Sequence, residues 1–190
     1  GKKEVLYTAG IHATEWITSL LLIKFAQNLC NAFVSNSQIY GYDAKYLYEN
    51  CSLYIIPMIN PDGINLVNNF YSPTSEVYIS ANNIAKNYPD IPFPSGWKAN
   101  INGVDLNSQF PANWELGKKI KSNLGYNKPA PRDFAGDSPL SEPESQAMYN
   151  FALLKMLLSY FYYQLLAHNR HGHTLSMLEV YLFFYNIQNQ

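Results

Sequence analysis

The sequence predicts an α/β fold built around a pair of parallel strands, and two observations carry that reading. Apolar runs at residues 5–11 (Val-Leu-Tyr-Thr-Ala-Gly-Ile) and 53–59 (Leu-Tyr-Ile-Ile-Pro-Met-Ile) are short and nearly continuous. Each ends near Gly or a polar turn cluster, as strands buried on both faces do. Between them Trp16, Ile17, Leu20, Leu21, Phe25 and Leu29 recur at spacings of three and four, which predicts a helix running to about Phe33. Strand, helix and strand within about 60 residues form a crossover unit, and a crossover joins parallel strands.

The remaining elements follow in chain order. Asn60-Pro61-Asp62-Gly63 reads as a turn closing the second strand. Residues 70–135 are rich in Asn, Pro, Ser and Gly and read as one long loop, a length usually tied to function. Ser141-Glu142-Pro143-Glu144-Ser145 reads as a helix start capped by Ser141. The apolar stretch 151–167 is broken by Lys155, Ser159 and Gln164. It falls short of the ~20 residues a membrane span needs. It is expected to form buried helix, then a strand at 162–167 leading into His168-Asn169-Arg170-His171-Gly172-His173.

Bulk properties exclude several classes. With 190 residues, 47% apolar content and a net charge of −1, the chain can build a core. It shows no basic stripe for nucleic acid and no acidic tail. Sixteen tyrosines suit a wet, polar ligand such as a peptide, or simply sheet packing. Cys30 and Cys51 are too few for a disulfide framework; they form one pair or two buried thiols. No internal repeat or linker divides the chain, so residues 1–190 read as one domain. The opening Gly1-Lys2-Lys3-Glu4 carries neither an initiator Met nor a basic-then-apolar leader.

Chemistry concentrates first at His12-x-x-Glu15, where the first strand gives way to the helix. Imidazole and carboxylate are both zinc donors, and a catalytic zinc takes three protein ligands and leaves one position open. Three residues of separation at such a junction let both side chains face one point. Alone the pattern is common, and a His at a strand end is more often structural.

Four ordered motifs add to it. The stretch Gly10-Ile11-His12-Ala13-Thr14-Glu15-Trp16-Ile17-Thr18 resembles the first zinc motif of the M14 zinc carboxypeptidase family. Pro57-Met58-Ile59-Asn60-Pro61-Asp62-Gly63, Gly103-Val104-Asp105-Leu106-Asn107 with Phe110-Pro111, and Ser141-Glu142-Pro143-Glu144 resemble its later motifs, in the family's order. The resemblance covers residues 4–148 and thins through 151–190. It implies a three-layer α/β/α sandwich with a mixed, largely parallel sheet and a site at the carboxyl ends of the strands. It also implies one zinc ion held by His12, Glu15 and a third His. His168, at the end of an apolar run, fits that place best, although it stands four residues before Gly172 where the family's His stands three before its Gly. His171 is the alternative. Asp105 would accept the other ring N–H of His12 and fix its tautomer. Asn107 would hold substrate.

Departures from the family pattern refine the expected substrate. Ser108 stands where digestive members carry the Arg that clamps a terminal carboxylate, and Thr14 replaces an Arg of the first motif. Lys98 replaces the Arg beside the oxyanion, where it could act as a point charge. The run Trp97-Lys98-Ala99-Asn100 through Glu115 resembles one branch, the bacterial γ-D-glutamyl-meso-diaminopimelate peptidases, which cut cell-wall stem peptides. An enzyme that cuts at γ-linked D-Glu has no need of the missing clamp. The expected activity is zinc-dependent hydrolysis of an amide in a muropeptide, by a monomer acting outside the cell or on wall fragments in the cytoplasm. The family's general-base Glu has no clear counterpart; Glu179 lies only 11 residues past His168. The chain is also shorter than a complete family domain, so it reads as a truncated or frame-disrupted fragment, incomplete at its C-terminal side and of poor solubility. A non-catalytic member that binds zinc or muropeptide, and a deacylase of the same fold, are the alternatives.

Overall fold

The computed structural model describes residues 2–155 and 163–164. Its centre is a parallel sheet in the order β4-β1-β5, formed by β1 (Lys3–Thr8), β4 (Cys51–Ile56) and β5 (Tyr163–Gln164). β1 and β4 pair from Lys3↔Cys51 to Thr8↔Ile56, and β5 joins the other edge of β1 at Tyr7↔Tyr163. A parallel pair requires a crossover. Here α1 (Ile17–Val34), a hairpin of β2 (Gln38–Ile39) and β3 (Tyr42–Asp43), and α2 (Ala44–Asn50) supply it. The hairpin turns through Tyr40 and Gly41, both at positive φ, the backbone a two-residue primed turn demands.

Alternation along the strands sets the layers. Val5 and Tyr7 face α1 and α2, in one cluster with Leu22, Phe25, Ala32 and Leu47. Leu22, Phe25, Leu29 and Ala32 form the apolar stripe of α1, and the Tyr7 and Phe25 rings lie 5.5 Å apart. Residues of opposite parity face α6 (Pro143–Lys155): Tyr54 meets Phe151 edge-on at 5.5 Å, and Ile56 packs with Met148. Helices therefore cover both sheet faces, the expected three layers. The described sheet is wholly parallel; among the described residues the antiparallel pairing is that of the separate hairpin. By length and composition α1 is apolar enough to cross a bilayer; in this fold its stripe is a core layer.

Several expectations need correction. Both strands end at Thr8 and Ile56, three residues early. Beyond them the chains stay bonded irregularly, through Ile59 N–H to the Ala9 carbonyl and Asn60 N–H to the Gly10 carbonyl. Asn60-Pro61-Asp62-Gly63 is a helix start and not a turn. Asn60 caps α3 (Pro61–Val67) by accepting the Gly63 N–H, with Pro61 in the first turn where a missing N–H is harmless. The expected loop at 70–135 contains α4 (Glu76–Ala85), capped by Ser75, and α5 (Trp114–Asn123). Ser141 does not cap α6, which starts at Pro143; its hydroxyl donates to the Gln109 and Glu142 side chains. Cys30 and Cys51 are both free thiols, the first exposed and the second half-buried.

Candidate metal centre

The site begins where β1 ends. Gly10 sits at φ +64°, and a Cβ there would lie 2.6 Å from Ser19 Oγ and 2.9 Å from Ile64 Cδ1, so this close approach requires glycine. The chain then enters a 3-10 turn over Ala13–Glu15, closed by the Glu15 N–H on the His12 carbonyl. Side chains three apart eclipse in such a turn. His12 Nδ1 consequently lies 3.1 Å from Glu15 Oε1, with both residues buried. Thr18 fastens the turn by donating its hydroxyl to the Glu15 carbonyl and accepting the Gly10 N–H.

A second segment meets the turn from behind. Ala13 N–H donates to the Lys98 carbonyl, and Ala13, Trp97 and Ala99 are fully buried against Leu66 and Ala81. This brings Lys98 Nζ to 3.8 Å from Glu15 Oε1, with the lysine side chain about one-third exposed. Asp105 approaches the other ring nitrogen: His12 Nε2 is 3.3 Å from Asp105 Oδ1. The Asp105 carboxylate also accepts the backbone N–H groups of Asn107 and Asp133, each at 3.1 Å.

Electrostatics follow from these contacts. Burial alone would lower the His12 pKa, but the hydrogen bonds and charges of Asp105 and Glu15 outweigh it and push the imidazole up to about 9. Burial would raise Asp105, yet the His12 hydrogen bond and charge hold its carboxyl below the usual carboxylate range. Without a cation, His12 is a buried imidazolium between two carboxylates.

Asn107 and Ser108 follow Asp105 in a 3-10 turn over Leu106–Ser108. The Asn107 side chain is exposed, and Ser108 is half-buried. Thr14 is half-buried beside the pair. His168, its rival His171 and Glu179 lie outside the described residues. Among the described residues no group of three or more His, Cys, Asp and Glu side chains could hold a metal; His12 and Glu15 are a pair. The pair has the chemistry and spacing of two zinc donors: donors about 2.0–2.1 Å from a tetrahedral ion stand about 3.3 Å apart.

Two buried amides escaped the sequence reading. Asn60 is fully buried and donates to the carbonyls of Ile11 (3.2 Å) and Ala99 (2.9 Å), tying the metal turn to the Lys98 segment. Asn100 donates to Glu142 at 2.7 Å and accepts the Val104 N–H, linking that segment to the start of α6. Asn60 lies in the second motif, where its turn reading left the amide unaccounted for, and Asn100 in the Trp97-Lys98-Ala99-Asn100 run, where only Lys98 was given a role.

Comparison with known proteins agrees with this geometry. The zinc carboxypeptidase family signature matches residues 1–183. The chain is 43% identical over 148 residues to "Gamma-D-glutamyl-L-diamino acid endopeptidase 1" of Lysinibacillus sphaericus, covering 78% of this chain and 36% of that protein. It is 41% identical over 147 residues to "Uncharacterized protein YqgT" of Bacillus subtilis (strain 168), covering 77% and 37%. The chain thus spans about a third of the length of these curated relatives. The crystal structure of thrombin activatable fibrinolysis inhibitor superposes with a TM-score of 0.56 at 20% identity, over 82% of this chain and 33% of that one. That likeness shows the fold.

Proposed function

This chain belongs to the zinc carboxypeptidase family of metallopeptidases, and from that premise we propose that it binds one zinc ion through His12 and Glu15 and serves hydrolysis of a γ-D-glutamyl-diamino acid amide in bacterial cell-wall peptides. The observation that carries the metal is the His12 ring, with Nδ1 beside Glu15 and Nε2 held by Asp105. An imidazole fixed from one nitrogen presents the other as a ligand. The substrate rests on the likeness to a protein named for that bond and on Ser108 in place of a carboxylate-clamping Arg.

Zinc, when bound, supplies Lewis acidity for amide hydrolysis. The chain's own residues do the rest. Asp105 fixes the ring's orientation and tautomer. Lys98 places a cation beside the pair, where it can stabilise charge developing on a carbonyl oxygen. Asn107 offers an exposed amide on the rim to hold substrate. His168 is the proposed third ligand. A wall-peptide substrate would place the protein outside the cell or among wall fragments within it.

Metal analysis and mass spectrometry test this reading. About one zinc per chain, lost on Glu15→Gln, together with cleavage of a γ-D-glutamyl-meso-diaminopimelate peptide, is the expected result. No zinc retention at micromolar free metal would refute it. Zinc without cleavage would instead identify a non-catalytic family member.

A further inference from the structure

The cations around the site are accounted for, with one exception. Lys98 faces Glu15, Lys121 pairs with Asp133, and Lys118 donates to the Asp137 carbonyl. Among the described residues Arg132 is the only arginine, and none of their carboxylates pairs with it. Its Nη2 donates to the Gly96 carbonyl at 3.2 Å, while its Nε is buried with no acceptor among the described residues. An unpaired buried donor on a charged group is costly, and a bound anion would relieve it.

Its neighbours fix where this guanidinium stands. The preceding carbonyl, of Pro131, accepts the N–H groups of Lys98 at 2.7 Å and Ala99 at 2.9 Å. The following N–H, of Asp133, donates to the Asp105 carboxylate that holds His12. Arg132 is therefore carried on a backbone pinned on one side to the Lys98 segment and on the other to the His12 support. It is half-buried, so part of the side chain reaches the surface.

The geometry points to Arg132 as a specificity-determining residue that binds a substrate carboxylate close to the scissile amide. This rests on the γ-glutamyl reading above. A peptide linked through the γ-carbonyl of glutamate keeps its α-carboxylate free, three carbons from the carbonyl that is attacked. Such a substrate brings an anion to the site whatever its C-terminus, and a planar guanidinium is the side chain best matched to it. This contact is to the internal glutamyl carboxylate, not to the terminal carboxylate whose clamp Ser108 replaces, and it comes from a different segment.

The test uses the full chain and two peptides: L-Ala-γ-D-Glu-meso-diaminopimelate, and the same peptide with the glutamyl α-carboxylate as a carboxamide. Binding of each is measured by calorimetry for wild type, Arg132→Gln and Arg132→Lys. Wild type should prefer the carboxylate on the order of 10- to 100-fold. Arg132→Gln should erase that preference while leaving carboxamide binding within about threefold, and Arg132→Lys should keep part of it. Melting curves establish that each variant folds; if Arg132→Gln does not, Arg132→Lys alone must still narrow the ratio. Equal affinity of wild type for both peptides overturns the assignment and leaves the substrate reading standing. Equal weakening of both peptides by Arg132→Gln also overturns it, because a merely structural role would do that. Failure of wild type to bind either peptide overturns the substrate reading together with this one.

Discussion

His12 carries the heaviest chemical demand of any residue here. Its folded pKa of about 9 lies above the ordinary 6.5, so the imidazolium contributes stability that is fully present below pH 6.5. That contribution is lost as pH rises through 9. The metal-free chain should therefore melt at lower temperature at pH 9.5 than at pH 6.5, and His12→Gln should flatten this dependence. A cation on Nδ1 must displace the same proton, so binding zinc at pH 7 should release close to one proton from this residue. Calorimetry in buffers of different ionisation enthalpy measures it; no buffer dependence would contradict the geometry. Asp105 acts through His12, so Asp105→Asn should weaken zinc about 10- to 100-fold. The His-x-x-Glu pair and Asp105 were legible in the sequence because each sits in a short motif with fixed spacing. Asn60 and Asn100 were not. Each donates its amide to a buried acceptor about 40 residues away, Asn60 to the Ala99 carbonyl and Asn100 to the Glu142 carboxylate, and nothing local reports such a demand.

The turn between β1 and α1 is the element on which the site depends. Gly10→Ala would place a Cβ against Ser19 and Ile64 and force a side chain into a left-handed backbone. The expected cost is about 2 kcal/mol or more, read as a lower denaturation midpoint with weakened zinc binding. Leu22→Ala, in the core cluster between α1 and the sheet, should cost about 2–5 kcal/mol through cavity formation yet leave zinc affinity unchanged in the folded fraction. The contrast separates damage to the scaffold from damage to the turn. The strands that helices cover on both faces were readable from sequence, because such a strand carries a nearly continuous apolar run. α4 and α5 were not: α4 carries Asn82 and Asn83, and α5 carries Gly117 and three lysines. These polar residues and the glycine interrupt the apolar periodicity, and tertiary packing of Ala81, Ala85 and Trp114 decides them. The strand ends were overshot because 9–11 are as apolar as a strand, while the backbone at Gly10 has already left the ladder.

At the scale of the whole molecule, the question is how far one ion can tie the fold together. His12 and Glu15 are three residues apart, so an ion held by this pair alone closes almost no loop and adds little to global stability. A third ligand beyond residue 155 would cross-link the first strand to the far end of the chain. Zinc that binds the folded state and not the unfolded one stabilises by about 2.7 kcal/mol at a concentration 100 times its Kd. For a domain of about 150–250 residues that corresponds to a rise of roughly 5–11 °C in melting temperature. The full chain should show a rise of this size on adding zinc and lose it on chelation. His168→Ala should remove most of it, because the remaining pair binds weakly, whereas His171→Ala should leave it intact. If His171→Ala removes the rise and His168→Ala does not, the third ligand is reassigned. If neither variant changes it, neither His168 nor His171 is the third ligand, and the proposed arrangement is wrong.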